Sequence, residues 1–335
     1  MAMILAIESS CDETACAIIK DGNQILSNVV SSQIAVHAKF GGVIPEVASR
    51  IHVENISIVI QEALTQAKVN MDEIDAIGFT QGPGLIGSLH IGNQAAKTMA
   101  FIYNKPLVPI HHITGHIYAN NFVEPMEFPV LCLVVSGGHS ELVFMKEDYQ
   151  FEILGTTTDD AVGEAFDKVA RVLNLPYPGG PQIDRLAKTG KANYKLPIPK
   201  VKGKYDYSFS GLKSGVLQLI ARLKRNDQEV IEADVAYAFQ ETALNALLEK
   251  AEQAIIDYHP KHFLLAGGVA ANSRLREKTT AMMEKYPDTK LTIPPIKYCT
   301  DNAAMIGASA EIAYRKKVFC GYDAASDSSM EMKSY

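Results

Sequence analysis

The chain writes one structural pattern twice, and that repetition limits its fold more than any other feature. Residues 3–7 (MILAI) read as a buried strand, ESSCDET as a polar turn, ACAIIK as a second strand, KDGN as a turn and QILSNVV as a third strand. The order returns at 130–157 as VLCLVV, the tight turn SGGH, SELVFMK, the turn EDYQ and FEILGTT. A second echo follows each set. AIGFTQGPGLIGSLHIGNQAAKTMAFIY (76–103) and HFLLAGGVAANSRLREKTTAMM (262–283) both read as strand, glycine-rich loop and helix. Such a duplication predicts two similar α/β domains facing each other, and 335 residues suffice for both. The N-terminal lobe is expected over 1–125 plus 301–335, and the C-terminal lobe over 126–300.

Helical stretches are expected at 45–67, 159–175 and 227–258, with a further helix broken and restarted at PGGP within 177–190. Asp301 opens an alanine-rich helix, DNAAMIGASAEIAYRKK. The last fifteen or so residues, rich in Ser and Asp, read as a loose tail. No apolar run is long enough to span a bilayer, and the start, MAMILAIESSCDE, lacks the basic region of a signal peptide. The five cysteines are scattered without a CxxC, as reduced thiols in a cytoplasmic protein would be. A net charge of −6 argues against a general nucleic-acid binder but leaves room for a local basic patch.

The chemistry concentrates in HHITGH, residues 111–116. His112 and His116 are four apart, so on a helix both imidazoles share one face. Such a pair can hold one divalent metal with a distant carboxylate, Asp301 in CTDNAAMIG, as third ligand. The same residues read equally as ordinary helix-end histidines and, for Asp301, as a helix N-cap. Three turns after apolar strands, ESSCDET, VSGGHSE and AGGVAANSR, could aim backbone N–H groups at a nucleotide phosphate. Neither GxxxxGK[ST] nor a strand-associated GxGxxG is present. GPGLIG (82–87) is glycine-rich too, and reads at least as well as a packing loop. Asp167, Asp184 and Asn272 lie near glycine-rich breaks and could meet ribose, amine or base, or simply be solvated or capping groups. Residues 186–209 carry Lys188, Lys191, Lys195, Lys200, Lys202 and Lys204 with tyrosines interleaved, a stripe that could grip a nucleic-acid backbone.

IESSCDETACAI, GGVIPEVASRIH, HHITGH, VSGGHSEL, GEAFDKVAR, YPGGP, YSFSGLKS, AGGVAANSRLR and CTDNAAMIG stand in this order and span about residues 3–315. Together they closely resemble the tRNA N6-adenosine threonylcarbamoyltransferase family, once filed as O-sialoglycoprotein endopeptidase. The resemblance implies two ribonuclease-H-like lobes of the actin, Hsp70 and sugar-kinase superfamily with a nucleotide cleft between them. It implies transfer of a threonylcarbamoyl group from threonylcarbamoyl-AMP to N6 of adenosine 37 in tRNAs that read codons beginning with A, with release of AMP. One iron or zinc ion would fall on His112, His116 and Asp301. The adenylate would fall on Val135, Ser136, Gly137, Gly138, His139, Asp167, Gly180, Asp184 and Asn272. The implied partners are tRNA, a non-catalytic paralogue and a small P-loop ATPase. No general base is evident; Glu13, Glu46 and His139 are the candidates.

A small-molecule kinase of the same superfamily would need a catalytic Asp near the phosphate turns and no His pair. A metallopeptidase would place Glu after the first His, where Ile113 stands. A scaffold paralogue would lack His112, His116 and Asp301.

Overall fold

The computed structural model describes residues 2–198 and 201–335, which divide into two compact units. The first runs to Met126 and also takes Lys146–Phe151 and Pro294–Tyr335; the second holds Glu127–Met145 and Glu152–Ile293. In the first unit β1 (Met3–Glu8), β2 (Glu13–Lys20) and β3 (Gln24–Ser32) pair as an antiparallel meander. The short α1 (Ile34–His37) and the long α2 (Pro45–Ala67), with Pro at its first turn, lead to β4 (Ala76–Gly82). Then come α3 (Ile86–Tyr103), β5 (Leu107–His111) and α4 (His112–Tyr118). β4 joins β1 and β5 joins β4, both in parallel, so the sheet order is β3-β2-β1-β4-β5. Parallel neighbours need a crossover, and α2 and α3 supply it.

The second unit repeats the order. Its strands β6 (Val130–Val135), β7 (Ser140–Met145) and β8 (Phe151–Thr156) are followed by α5 (Val162–Val172), α6 (Gly179–Ala187), α7 (Ser210–Arg225) and α8 (Glu232–Tyr258). β9 (His262–Ala266), α9 (Ser273–Met283) and β10 (Lys290–Thr292) complete it. The sheet runs β8-β7-β6-β9-β10, antiparallel from β6 to β7 and parallel from β6 through β9 to β10. Element for element this is the first sheet again, so the doubled sequence pattern is a doubled topology. β6 and β9 are buried along their whole lengths, which is why both read as unbroken apolar runs. α7 has no counterpart among the expected helices. Asp159 fixes its start by accepting from the backbone N–H groups of Phe209 and Ser210, a cap from about fifty residues earlier that no local pattern carries.

The chain returns to the first unit through α10 (Ile296–Cys299) and α11 (Ala303–Arg315). α11 is buried from Ala303 to Ala313, which explains its run of small residues. A Cβ on Gly307 would lie 2.3 Å from Ile19 on β2, and one on Gly78 of β4 would lie 2.6 Å from Ala310. Small residues on both sides let the helix axis settle close to the sheet. GPGLIG is a packing loop: a Cβ on Gly84, whose φ is +157°, would strike the Ser10 carbonyl at 2.5 Å. No helix among the described residues is long and apolar enough to cross a membrane.

The C-terminal segment departs from expectation. Residues 320–335 are laid against the first unit rather than loose. Cys320 bridges to Leu107 on β5, Gln81 exchanges hydrogen bonds with Ala325 and Asp327, and Tyr335 N–H donates to the Tyr149 carbonyl. Composition misleads here because these contacts run through the main chain, where Ser and Asp are no handicap, and the Ser326 and Ser334 hydroxyls add to them. Gly307→Val should lower stability by about 1–3 kcal/mol through overpacking. A urea midpoint equal to that of the unmodified chain would contradict this packing.

Candidate metal centre

β5 ends at His111 and α4 begins at His112, so His112 and His116 fall on successive turns of one short helix. Their rings sit edge to face with centroids 4.8 Å apart. Asp301 arrives from the other end of the chain, just ahead of α11. It is not that helix's N-cap: Asn302 takes the role, its side chain accepting from Met305 N–H at 3.1 Å. The Asp301 carboxylate is thereby left to the histidines, with Oδ1 3.1 Å from His116 Nε2 and 3.5 Å from His112 Nε2. One ligand atom from each of the three residues lies within 4.8 Å of the others.

The tautomer of His112 is set from behind. Its Nδ1 lies 3.0 Å from Glu8 Oε2 and 3.1 Å from Ser10 Oγ. A carboxylate only accepts, so Nδ1 carries a proton, which leaves Nε2, on the side of Asp301 and His116, as the nitrogen that could take a cation. Glu8 in turn accepts from Thr80 Oγ1 at 2.6 Å and from the Ser10 N–H at 2.5 Å. This carboxylate–imidazole arrangement is the usual backing for a metal-bound histidine. Glu8 ends a buried strand, and its one signal in the sequence is that of a lone acid closing an apolar run. Its engagement also changes the reading of ESSCDET. The Ser10 amide that could have met a phosphate is taken by Glu8 within the chain.

The electrostatics agree. Burial alone would raise the Asp301 carboxyl, yet His112 and then His116 hold it well below the usual carboxylate range. Burial opposes charge on His112, but Glu8 and Asp301 outweigh it and raise the imidazole well above its ordinary value. Glu8, raised by burial, is brought below its ordinary value chiefly by His112. His116 Nε2 is near Asp301 without hydrogen-bond geometry, so both ring nitrogens of His116 are buried and lack a hydrogen-bond partner. A divalent cation among these atoms would take up that orphaned Nε2 and answer the Asp301 charge. Two imidazoles and one carboxylate suit zinc or iron, and the residues fit such an ion.

The other candidates lie in the second unit: Val135 to His139 and Asn272 follow the carboxyl ends of β6 and β9, where ligands of open α/β sheets bind, while Asp167 is on α5 and Gly180 and Asp184 are on α6. Val135 ends β6 and Ser136 starts its turn, with Ser136 N–H donating to the His139 carbonyl at 2.8 Å and His139 N–H to Ser136 Oγ at 3.0 Å. A Cβ on Gly137, Gly138 or Gly180 would meet nothing within 4 Å, so all three backbones face open space. Gly267, after β9, has φ +88°, and a Cβ there would strike the Val135 carbonyl at 2.4 Å; that glycine lets the two turns abut. Asp167 Oδ1 accepts from Gly179 N–H at 2.7 Å, Asp184 takes the Ser273 hydroxyl and amide, and Asn272 caps α9 while reaching Gln240. Each of these three thus has a structural partner within its own unit. Of the candidate bases, Glu46 is exposed on the first turn of α2, and His139 is half-buried in the second unit. Glu13 is pushed up to about 9 by burial first, then by Asp301 and Asp12; a cation held by Asp301 would oppose those two acids.

Glu8→Gln should weaken zinc binding by about 10- to 100-fold, the usual cost of a lost backing carboxylate. Chelator competition at fixed pH checks this, and unchanged affinity would remove Glu8 from the site.

A family model described as tRNA N6-adenosine threonylcarbamoyltransferase matches residues 24–308. A protein of that name from Staphylococcus haemolyticus is 53% identical over 332 residues, spanning 99% of this chain and 97% of its own. Another of that name, from Bacillus subtilis, is 51% identical over 335 residues, spanning 99% and 96%. Among solved structures, HypF of T. kodakarensis aligns with TM-score 0.65 at 16% identity, covering 95% of this chain and 48% of that one. Component A of the Acidaminococcus fermentans (R)-2-hydroxyglutaryl-CoA dehydratase aligns with TM-score 0.55 at 15% identity, covering 95% and 99%. At such identities these two speak for the fold alone, an α/β chain with two five-stranded mixed sheets. With the matched model covering most of the chain and relatives above half identity along nearly all of it, the chain belongs to the tRNA N6-adenosine threonylcarbamoyltransferase family.

Proposed function

We infer that the chain is an enzyme that transfers the threonylcarbamoyl group of threonylcarbamoyl-AMP to N6 of adenosine 37 in tRNAs that read codons beginning with A. In this transfer N6 bonds to the carbamoyl carbon, the bond from that carbon to the phosphate oxygen breaks, AMP leaves, and N6 gives up a proton. The observation that supports this best is the convergence of His112, His116 and Asp301 in a chain of that family. These three would hold the family's ion, iron or zinc. When bound, it supplies a Lewis acid for carbonyl or phosphoryl oxygen. Glu8 keeps His112 in the ligating tautomer, and α11 carries Asp301 to it.

The adenylate is assigned to the second unit's turns. The open backbone of Gly137 and Gly138 leaves room for phosphate oxygens to approach N–H donors. Gly180 offers similar room beside Asp167, while Asp184 and Asn272 border the α9 start. An adenine amine is a poor nucleophile, so positioning must supply much of the acceleration. Glu13, Glu46 and His139 remain the candidates to receive the N6 proton, and an imidazole is the group whose charge changes nearest neutral pH.

The expected partners are tRNA, a non-catalytic paralogue and a small P-loop ATPase. For the paralogue, α2 and α3 offer an apolar groove of about 570 Å³ lined by Val53, Ile56, Ile60, Met99 and Ile102. A chain of the same fold has the same two helices to set against it. For tRNA, the lysine stripe occupies the loop between α6 and α7. Lys204 there is engaged by Asp257 at 2.6 Å, and Lys200 lies outside the described residues.

His112→Ala and Asp301→Ala should each lose the bound ion and abolish transfer while the circular-dichroism spectrum stays intact. Full modification of adenosine 37 by either variant, measured by nucleoside mass spectrometry, would take the ion out of the mechanism. Neutralising Lys200, Lys202 and Lys204 together should weaken tRNA binding and flatten its dependence on salt, by about 0.7–0.9 in log–log slope for each phosphate no longer neutralised. An unchanged slope would make the stripe a solvated loop.

A further inference from the structure

The C-terminal segment reaches the metal helix by a route that the transfer reaction does not require. His111 is the N-cap of α4, and its Nδ1 accepts from the Ile113 N–H at 3.2 Å. An imidazole that accepts at Nδ1 and is neutral must carry its proton at Nε2. That Nε2 lies 2.9 Å from the main-chain carbonyl of Met330, which can only accept. Met330 therefore selects the tautomer that lets His111 cap the helix carrying both ligand histidines.

Met330 is itself held in place. The segment pairs with β5 at Cys320 and crosses β4, where Gln81 Nε2 donates to the Ala325 carbonyl at 2.8 Å and Asp327 N–H to the Gln81 carbonyl at 2.9 Å. It passes so near Gly82 that a Cβ there would lie 1.9 Å from the Asp327 carbonyl oxygen. Asn93 Nδ2 holds Ser326 at 3.0 Å and Gly84 N–H holds the Ser328 carbonyl at 3.3 Å. Beyond Met330, Ser334 Oγ accepts from Phe151 N–H at 2.9 Å, and the Tyr335 carbonyl takes Lys316 Nζ at 3.0 Å. The run is thus anchored on both sides of the one carbonyl that meets His111.

We propose that residues 320–335 are a positioning strap for the metal centre, acting through the Met330 carbonyl on His111 and through His111 on the start of α4. His111 touches neither ion nor substrate; it sets the backbone from which His112 and His116 project. This rests on the metal reading above, and the test separates the two.

Zinc affinity is measured by chelator competition, with melting temperature alongside, for four proteins: the intact chain, a chain ending at Ser329, the H111A variant, and H111A ending at Ser329. The strap predicts that each single change weakens zinc binding by about tenfold, the lower end of what lost ligand support costs. It also predicts that the combination is no worse than either alone, because both cut one link. H111N ending at Ser329 should return close to intact affinity, since Asn caps a helix without help from a tail. The strap is overturned if the chain ending at Ser329 binds zinc as the intact chain does, if the losses multiply, or if Asn fails to restore binding. Should the shortened chain not fold, H111A in the full chain decides: retained affinity overturns the strap, and a loss that H111N avoids upholds it. An intact chain that binds no zinc overturns the metal reading and, with it, the strap.

Discussion

A carboxylate withdrawn from water must have its charge answered, and the first unit places the buried Glu8 and the half-buried Asp301 on opposite sides of His112. Much of the unit can be read as the means of bringing these groups together. β1 delivers Glu8 at its carboxyl end, β5 turns into α4 to deliver the two histidines, and α11 sinks into the sheet far enough to deliver Asp301. The small side chains of α11 belong to this arrangement. With Gly307 against Ile19 and Ala310 against Gly78, the helix has little freedom to withdraw the carboxylate.

The polar contacts behind the histidines fix the same geometry. Thr114, between the two histidines, hydrogen-bonds Ser309 on α11 at 3.0 Å, and Tyr149 reaches the same Ser309 hydroxyl at 2.7 Å. These bonds set α4 against α11 across a face that would otherwise be held by dispersion alone. Buried networks of this kind give a unique arrangement when every member is satisfied. Beside this network both ring nitrogens of His116 are buried without a hydrogen-bond partner.

The sequence made the doubled sheet legible because strand periodicity and glycine punctuation are local signals, and both copies carry them. The His pair was legible because four-residue spacing on a helix has only one geometric meaning. Asp301 was legible as an acid at a helix start, but its freedom from capping depended on Asn302, one residue later. Glu8 was not legible: its role comes from Thr80, Ser10 and His112, which are brought to it only by the fold. The start of α7 was hidden for the same reason, its cap being Asp159.

The C-terminal segment is anchored in large part through carbonyls and amides, those of Ala324, Ala325, Asp327, Ser328, Met330 and Tyr335, with the Ser326 and Ser334 hydroxyls and the Tyr322 and Tyr335 rings beside them. Where the main chain binds in this way, the side chain at that position is free to vary. The spacing between Cys320 and Met330 is another matter, because gaining or losing one residue there would move every later carbonyl off its donor. Such a stretch can change many of its letters so long as it keeps their number, and for that reason it offers little motif to a reader of residue types.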